Sequence, residues 1–234
     1  MTNSVDESSV LSSSVAQVER HGMRPWGLHG IAHWWRVRHN GLLLARHTGA
    51  DTRVVRLFAL FHDSCRADDG WDEEHGPRAA AWLVSLRAGR DVVEHDPVDH
   101  RTAEHATASD DASRVDAARA NATRLRATQA VVAALDDTAF TQLVAACEHH
   151  TALRSHSDGT VNTCFAADRL DLDRVGYRPD PSRIPVDSAL LNAAFIDAAV
   201  QRTRQRLAWI DVTEFRDAWG IEPKLELLRA RDDA

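Results

Sequence analysis

The sequence predicts an all-α protein, and three observations lead to that expectation. Apolar residues recur at helical spacing over most of the 234-residue chain. Alternating apolar and polar residues, which are typical of a half-buried strand, are scarce. Stop and cap residues separate the helical segments, as where Gly49 ends one segment and Asp51 and Thr52 open the next.

The first predicted elements surround one strongly apolar segment. Residues 1 to about 14 are acidic and Ser-rich, which predicts a disordered tail before a single domain over 15–234. A helix is expected from His29 to Ala45. The next helix contains VVRLFALFHD and has apolar residues on nearly every face, so we expect it to be central and buried and to end in His62-Asp63.

The later elements begin with the polar loop SCRADDGWDEEHG, in which we expect Trp71 to pack against the protein. The helix PRAAAWLVSLRAG follows and ends at Gly89. Residues 90–115 lack apolar periodicity and predict an exposed insertion, which could cover a site or mediate association into a homo-oligomer. Further helices are expected at about 116–136, 138–150, 160–175 and 185–210.

Composition limits the partners and the compartment. The formal net charge of -7 and the pI of about 6 argue against nucleic acid polymers and anionic membranes, but leave a small anionic substrate open. Cys65, Cys147 and Cys164 form no CxxC motif, and free thiols in a reducing cytosol are the simplest interpretation. We expect a cytoplasmic protein, since the sequence has no signal peptide and no apolar run of the ~20 residues that a membrane span needs.

Histidines and aspartates occur in the order H…HD…H…HH…D. His62 and Asp63, at the buried end of a helix, are costly to desolvate unless other groups pair with them. Imidazole and carboxylate groups suit first-row divalent metals, and Asp63, with two oxygens, is the natural bridge between two ions. His29 and His33 share a helix face, so one can be a ligand and the other a supporting group. The candidate ligands are His33, His62, Asp63, His75, His149, His150 and Asp168.

This pattern resembles the HD-domain superfamily, which is named for its histidine-aspartate doublet. The H…HD…D set of that family matches His33, His62, Asp63 and Asp168, and the likeness covers about residues 25–180. His75 and the His149-His150 pair resemble the additional ligands of its binuclear branches.

The resemblance implies a helical bundle with two divalent ions, such as Mn, Fe, Ni or Co. One ion would be held by His33, His62, Asp63 and Asp168, and the other by Asp63, His75 and one or both of His149 and His150. A metal-activated water would attack a phosphoester, with Asp63 and Arg66 as catalytic residues. Guanidinium groups suit phosphate, and the candidates are Arg66, Arg78 and Arg169.

Three functions are compatible with this ligand set. The leading hypothesis is a phosphohydrolase that cleaves a phosphomonoester or nucleotide. The alternative is a mixed-valent diiron oxygenase of a small molecule, and a non-catalytic nucleotide-binding protein is the third. The Gly-Tyr-Pro signature of the cyclic-dinucleotide branch does not follow His150. The nearest match, Gly176-Tyr177-Arg178-Pro179, lies too late in the sequence and is interrupted, so activity on a cyclic dinucleotide is not expected.

Overall fold

The computed structural model describes residues 5–90 and 108–229, and within 108–115 it describes the backbone alone. The described residues contain helices and no strand, which confirms the all-α class. The α-helices are α1 Glu7–Arg20, α2 Ile31–Thr48, α3 Thr52–Phe61, α4 His75–Arg87, α5 Ala108–Ala133, α6 Asp137–His149, α7 Gly159–Arg169, α8 Ala193–Arg204 and α9 Val212–Trp219. Short 3-10 helices lie at Leu172–Val175, Pro181–Arg183 and Leu225–Leu227.

Helix α3 is the central buried helix, as predicted. The Asp51 side chain accepts a hydrogen bond from the Arg53 backbone N–H and caps its first turn. The helix packs against α1, α2, α6 and α7. Every residue from Leu57 to Phe61 is fully buried, so the helix ends with His62 in the protein interior.

Helix α2 approaches α3 and α7 most closely at Gly41. A Cβ atom at this position would lie 2.5 Å from Val55 Cγ1 and 3.2 Å from Ala167 Cβ. Glycine therefore permits the three helices to pack closely, and their ends then converge on one side of the bundle.

The N-terminal segment differs from the expected flexible tail, because α1 begins at Glu7. The Asp6 side chain accepts a hydrogen bond from the Ser9 backbone N–H, and Val10 and Leu11 are buried in the core. The many serines concealed this apolar stripe in the sequence. Residues 1–4 lie outside the described part of the chain.

Glu7 connects four helices through one buried carboxylate. It accepts hydrogen bonds from Arg38 on α2 at 2.7 and 3.1 Å, from Arg56 on α3 at 2.5 Å, and from Trp219 Nε1 on α9 at 2.9 Å. A buried carboxylate needs such partners to offset its desolvation, so α1 is an integral part of the fold.

Two predicted helices are shorter in the structure. The segment expected at 160–175 ends as α7 at Arg169, and a separate 3-10 helix then closes at Gly176, where φ is +86°. The segment expected at 185–210 becomes α8 at 193–204, since the Asn192 side chain caps its N-terminus. The predicted insertion falls mainly on residues 91–107, which lie outside the described residues, and α5 begins at Ala108.

The cysteines are free and buried, as expected. Among the described residues, no single helix is long and apolar enough to cross a membrane; one pair bent by 115°, Asp116–Ala133 with Asp137–His149, meets the criteria jointly by length and composition.

Replacing Glu7 with alanine should lower the free energy of unfolding by about 3–5 kcal/mol, because Arg38 would be left buried without its main partner. Chemical denaturation measures this loss. Glu19→Ala, on the exposed face of the same helix, is the matched control and should change stability by less than about 0.5 kcal/mol. Equal stabilities for the two variants would contradict the role of Glu7.

Candidate metal centre

Five helix ends deliver imidazole and carboxylate groups to one buried region. His33 lies in the first turn of α2, and His75 is the first residue of α4. His62 and His150 are the C-terminal caps of α3 and α6, and Asp168 lies in the last turn of α7. Because the ends of five separate helices meet here, groups far apart in sequence lie within one site.

The first ligand group consists of His33, His62 and Asp168, whose ligand atoms all lie within 4.8 Å of one another. The two Nε2 atoms are 3.0 Å apart. Asp168 Oδ1 lies 3.4 Å from Nε2 of His33 and 3.8 Å from Nε2 of His62. All three residues are buried.

The second ligand group consists of Asp63, His75 and His150, which are equally buried and equally compact. The Nε2 atoms of the two imidazoles are 2.9 Å apart. Asp63 Oδ1 lies 3.1 Å from Nε2 of His75 and 3.8 Å from Nε2 of His150.

Asp63 joins the two groups, because its oxygens face in different directions. While Oδ1 faces the second group, Oδ2 lies 3.4 Å from Nε2 of His33 and 3.7 Å from Nε2 of His62. One carboxylate can therefore contribute one oxygen to each group.

The Nδ1 atom of each of the four imidazoles is engaged by an acceptor behind the ring. His33 Nδ1 lies 2.7 Å from Asp171 Oδ2, and His62 Nδ1 lies 3.0 Å from the carbonyl oxygen of Phe58. In the second group, His150 Nδ1 donates to the carbonyl oxygen of Cys147 at 2.8 Å, and His75 Nδ1 donates to the carbonyl oxygen of Asp72. These acceptors hold a proton on Nδ1 and direct the Nε2 atom of each ring into the site, where its lone pair can bind an ion once any proton on Nε2 is lost.

Facing lone pairs at about 3 Å repel each other unless a proton or a metal ion lies between them. Asp168 Oδ1 also needs a positively charged partner, since it is buried and accepts no hydrogen bond from the described residues. Nitrogen and oxygen donors of this kind suit first-row divalent ions. Each group therefore fits one metal ion, with Asp63 available to both.

The surroundings keep the Asp63 carboxylate ionised and shift the pKa values of His33 and His62 in opposite directions. Burial would raise the pKa of Asp63, but contacts with His62, His150, His29 and His33 hold it well below its usual range. Burial lowers the pKa of His62 to about 3. His33 behaves oppositely: burial and the Arg174 guanidinium oppose its protonation, yet the surrounding carboxylates of Asp168, Asp171 and Asp63 raise its pKa to about 9.

Close backbone contact at Gly76 positions the second group. A Cβ atom there would lie 2.6 Å from the carbonyl oxygen of Cys147 and 2.9 Å from that of Glu148. Glycine thus allows the start of α4 to rest against the end of α6, which places His75 beside His150.

Several residues singled out in the sequence lie elsewhere. His149 is outside both groups and is partly exposed, and its Nε2 atom lies 3.8 Å from Glu148 Oε2.

Two of the three arginines predicted to bind phosphate are engaged elsewhere. Arg78 donates to the Cys65 carbonyl oxygen and pairs with Asp72. Arg169 donates to the carbonyl oxygens of residues 150, 153, 154 and 183. Both guanidinium groups hold loops around the site. Arg66 does reach it, with Nη1 3.6 Å from Asp63 Oδ1.

Asp171 and Arg174 have roles in the structure that the sequence did not reveal. Asp171 is fully buried and binds Arg36 and Thr203 as well as His33, so it orients that ligand. Arg174 Nη2 lies 3.7 Å from Asp168 Oδ1 and 3.9 Å from Asp63 Oδ2. Both residues lie within six positions of Asp168, which was the one indication in the sequence that they could reach the site; neither belongs to a recognisable motif.

A scan of protein-family models, a search of curated proteins and a search of solved structures each returned no match to this chain. The resemblance to the HD-domain superfamily therefore rests on the ligand residues themselves, and the helical arrangement with two buried His/Asp groups is compatible with it.

Gly76→Ala should weaken binding of an ion to the second group, because the added methyl group would push α4 away from α6. We expect Mn²⁺ titrations to show the loss of one binding event while the other is retained. Gly159→Ala is the control, since a Cβ atom there meets nothing within 4 Å. Unchanged binding in Gly76→Ala would show that this contact does not position the ligands.

Metal affinity should fall as the pH is lowered from about 9, because His33 must lose its proton before it can bind an ion. Calorimetry at pH 6 to 8 should show affinity rising with pH and a proton released on binding. Asp171→Asn removes one of the interactions that raise the pKa of His33, so its pH dependence should be weaker. Affinity that is constant over this range would contradict the assignment.

Proposed function

We propose that this chain is a metal-dependent phosphohydrolase of the HD type that cleaves a small phosphoester. The observation that carries the proposal is the placement of the Asp63 carboxylate between two buried ligand groups. Two ions held in this way would acidify a bound water and stabilise the charge on a phosphoryl group in transfer.

The residues of the chain support that chemistry in separate ways. Asp63 contacts both groups, with one carboxylate oxygen facing each. Asp171 orients the His33 ring through a contact with the Nδ1 atom of His33. The imidazole and Asp63 side chains are at most 3% exposed, whereas that of Asp168 is 12% exposed, so the site is least buried at its Asp168 edge. A substrate would therefore approach from that edge.

Two guanidinium groups lie on opposite sides of Asp63. Arg66 faces Oδ1 and Arg174 faces Oδ2, at 3.6 and 3.9 Å. Arg174 Nε is buried and has no acceptor among the described residues, so the side chain has donor capacity to spare. Planar guanidinium groups suit the oxygens of a phosphate, and this placement supports Arg66 and Arg174 as substrate-binding residues.

Phosphate release from a panel of phosphomonoesters and nucleotides in the presence of Mn²⁺ tests the proposal. Asp63→Asn should abolish both metal binding and turnover, because the shared carboxylate would be lost. Arg174→Gln should retain metal and lower kcat by about 10²- to 10³-fold, the usual cost of removing one donor to a developing charge. Arg46→Gln, on the exposed face of α2, is the control.

Activity that persists in Asp63→Asn would refute the proposal. Silence of the wild-type protein across the whole panel, together with iron-dependent O₂ consumption, would support the diiron oxygenase instead. These outcomes separate the two functions that the ligand set allows.

A further inference from the structure

We infer that the phosphoester carries a planar aromatic or heteroaromatic ring, and that Trp71 and Tyr177 bind this ring in a cleft beside the metal centre. The inference deepens the proposed function and rests on it for the position of the phosphoryl group. The cleft has a volume of about 720 Å³ and is formed by the loops that follow α3, α6 and α7.

The cleft borders the ligand groups along the chain. Thr151 and Arg169, which line it, directly follow His150 and Asp168. Trp71 lies four residues before His75 in the loop that leads into α4. The organic part of a substrate held at the metal centre therefore has this cleft within reach.

Trp71 and Tyr177 expose their rings to an unusual extent. Trp71 is 87% exposed and Tyr177 is 71% exposed, although large aromatic side chains are normally well buried. The expected packing of Trp71 against the protein is thus not found; its indole N–H donates to Glu73 at 2.8 Å, while its ring remains accessible. Exposed ring faces are available for stacking with a planar ligand.

The charge of the cleft favours an anion. Four arginines line it: Arg169 donates to backbone carbonyl oxygens and Arg178 pairs with Asp197, while Arg154 and Arg183 pair with no carboxylate among the described residues. Asp180 is the one acidic side chain in the lining. An anionic ligand with an aromatic ring would match both the arginines and the two exposed rings.

The cleft on the Arg174 side of the centre offers no comparable surface. Its aromatic residue, Trp26, is only partly exposed, and the ammonium group of Lys224 lies 5.9 Å from the ring centroid. Ring recognition is therefore assigned to the cleft that contains Trp71 and Tyr177.

Binding of two matched probes tests the inference independently of turnover. Benzylphosphonate and cyclohexylmethylphosphonate have the same charge and nearly the same size, but only the first has a planar ring. Calorimetry with the Mn²⁺-loaded protein should show about tenfold tighter binding of benzylphosphonate, in line with the stacking of a ring on an aromatic side chain.

Trp71→Leu and Tyr177→Leu should each reduce this preference several-fold, whereas Trp71→Phe should keep most of it because it retains a ring. Val84→Ala, an exposed apolar position on α4, is the control and should leave the preference unchanged. Equal affinity of the wild-type protein for the two probes, or a preference that survives in both leucine variants, would overturn the inference.

Hydrolysis of the corresponding esters separates this inference from the proposed function. Benzyl and cyclohexylmethyl phosphate release alcohols of similar acidity, so a rate difference reports ring binding. Ring-dependent probe binding, without phosphate release from either ester or from any member of the panel, would refute the phosphohydrolase and support the cleft. Equal hydrolysis of both esters, with equal probe binding, would support the phosphohydrolase and refute the cleft.

Discussion

The burial of one carboxylate between two pairs of imidazoles constrains the whole structure. Asp63 cannot be desolvated alone, so both of its oxygens must have partners. Those partners come from His29, which precedes α2, and from α2, α3, α4 and α6. Each of the four imidazoles in the two groups is turned toward the site by an acceptor behind it. The helices must therefore end where they do, with Gly41 and Gly76 permitting the close contacts that bring the ends together.

This arrangement assigns different tasks to different parts of the chain. Helix ends supply the ligands, because rigid elements fix the direction of an imidazole better than a loop does. The connections after α3, α6 and α7 supply the arginines and the exposed rings. Under the proposed function, the helix ends would hold the ions, and the loops would select the molecule that reaches them.

The sequence revealed the ligands more readily than their surroundings. His33, His62 and Asp168 follow a recognisable order, and apolar periodicity predicted the buried α3. Asp171 and Arg174 could not be assigned, since their importance arises from a 3-10 turn that folds back over the site. Arg78 and Arg169 have the right charge, but their donors are consumed by Asp72 and by backbone carbonyls, which spacing alone cannot reveal. Helix α1 was missed because its serines masked the residues that reach the core.

The contact between Glu7 and Trp219 has a consequence for any attempt to define a minimal domain. The candidate ligands span residues 33–168, so a fragment cut to that range would contain all of them. It would lack both α1 and α9, and with them the carboxylate that accompanies Arg38 and Arg56 in the bundle. The two outer helices cover this side of the bundle, so a trimmed fragment would leave Arg38, which is buried in the complete fold, and the partly exposed Arg56 without their shared carboxylate.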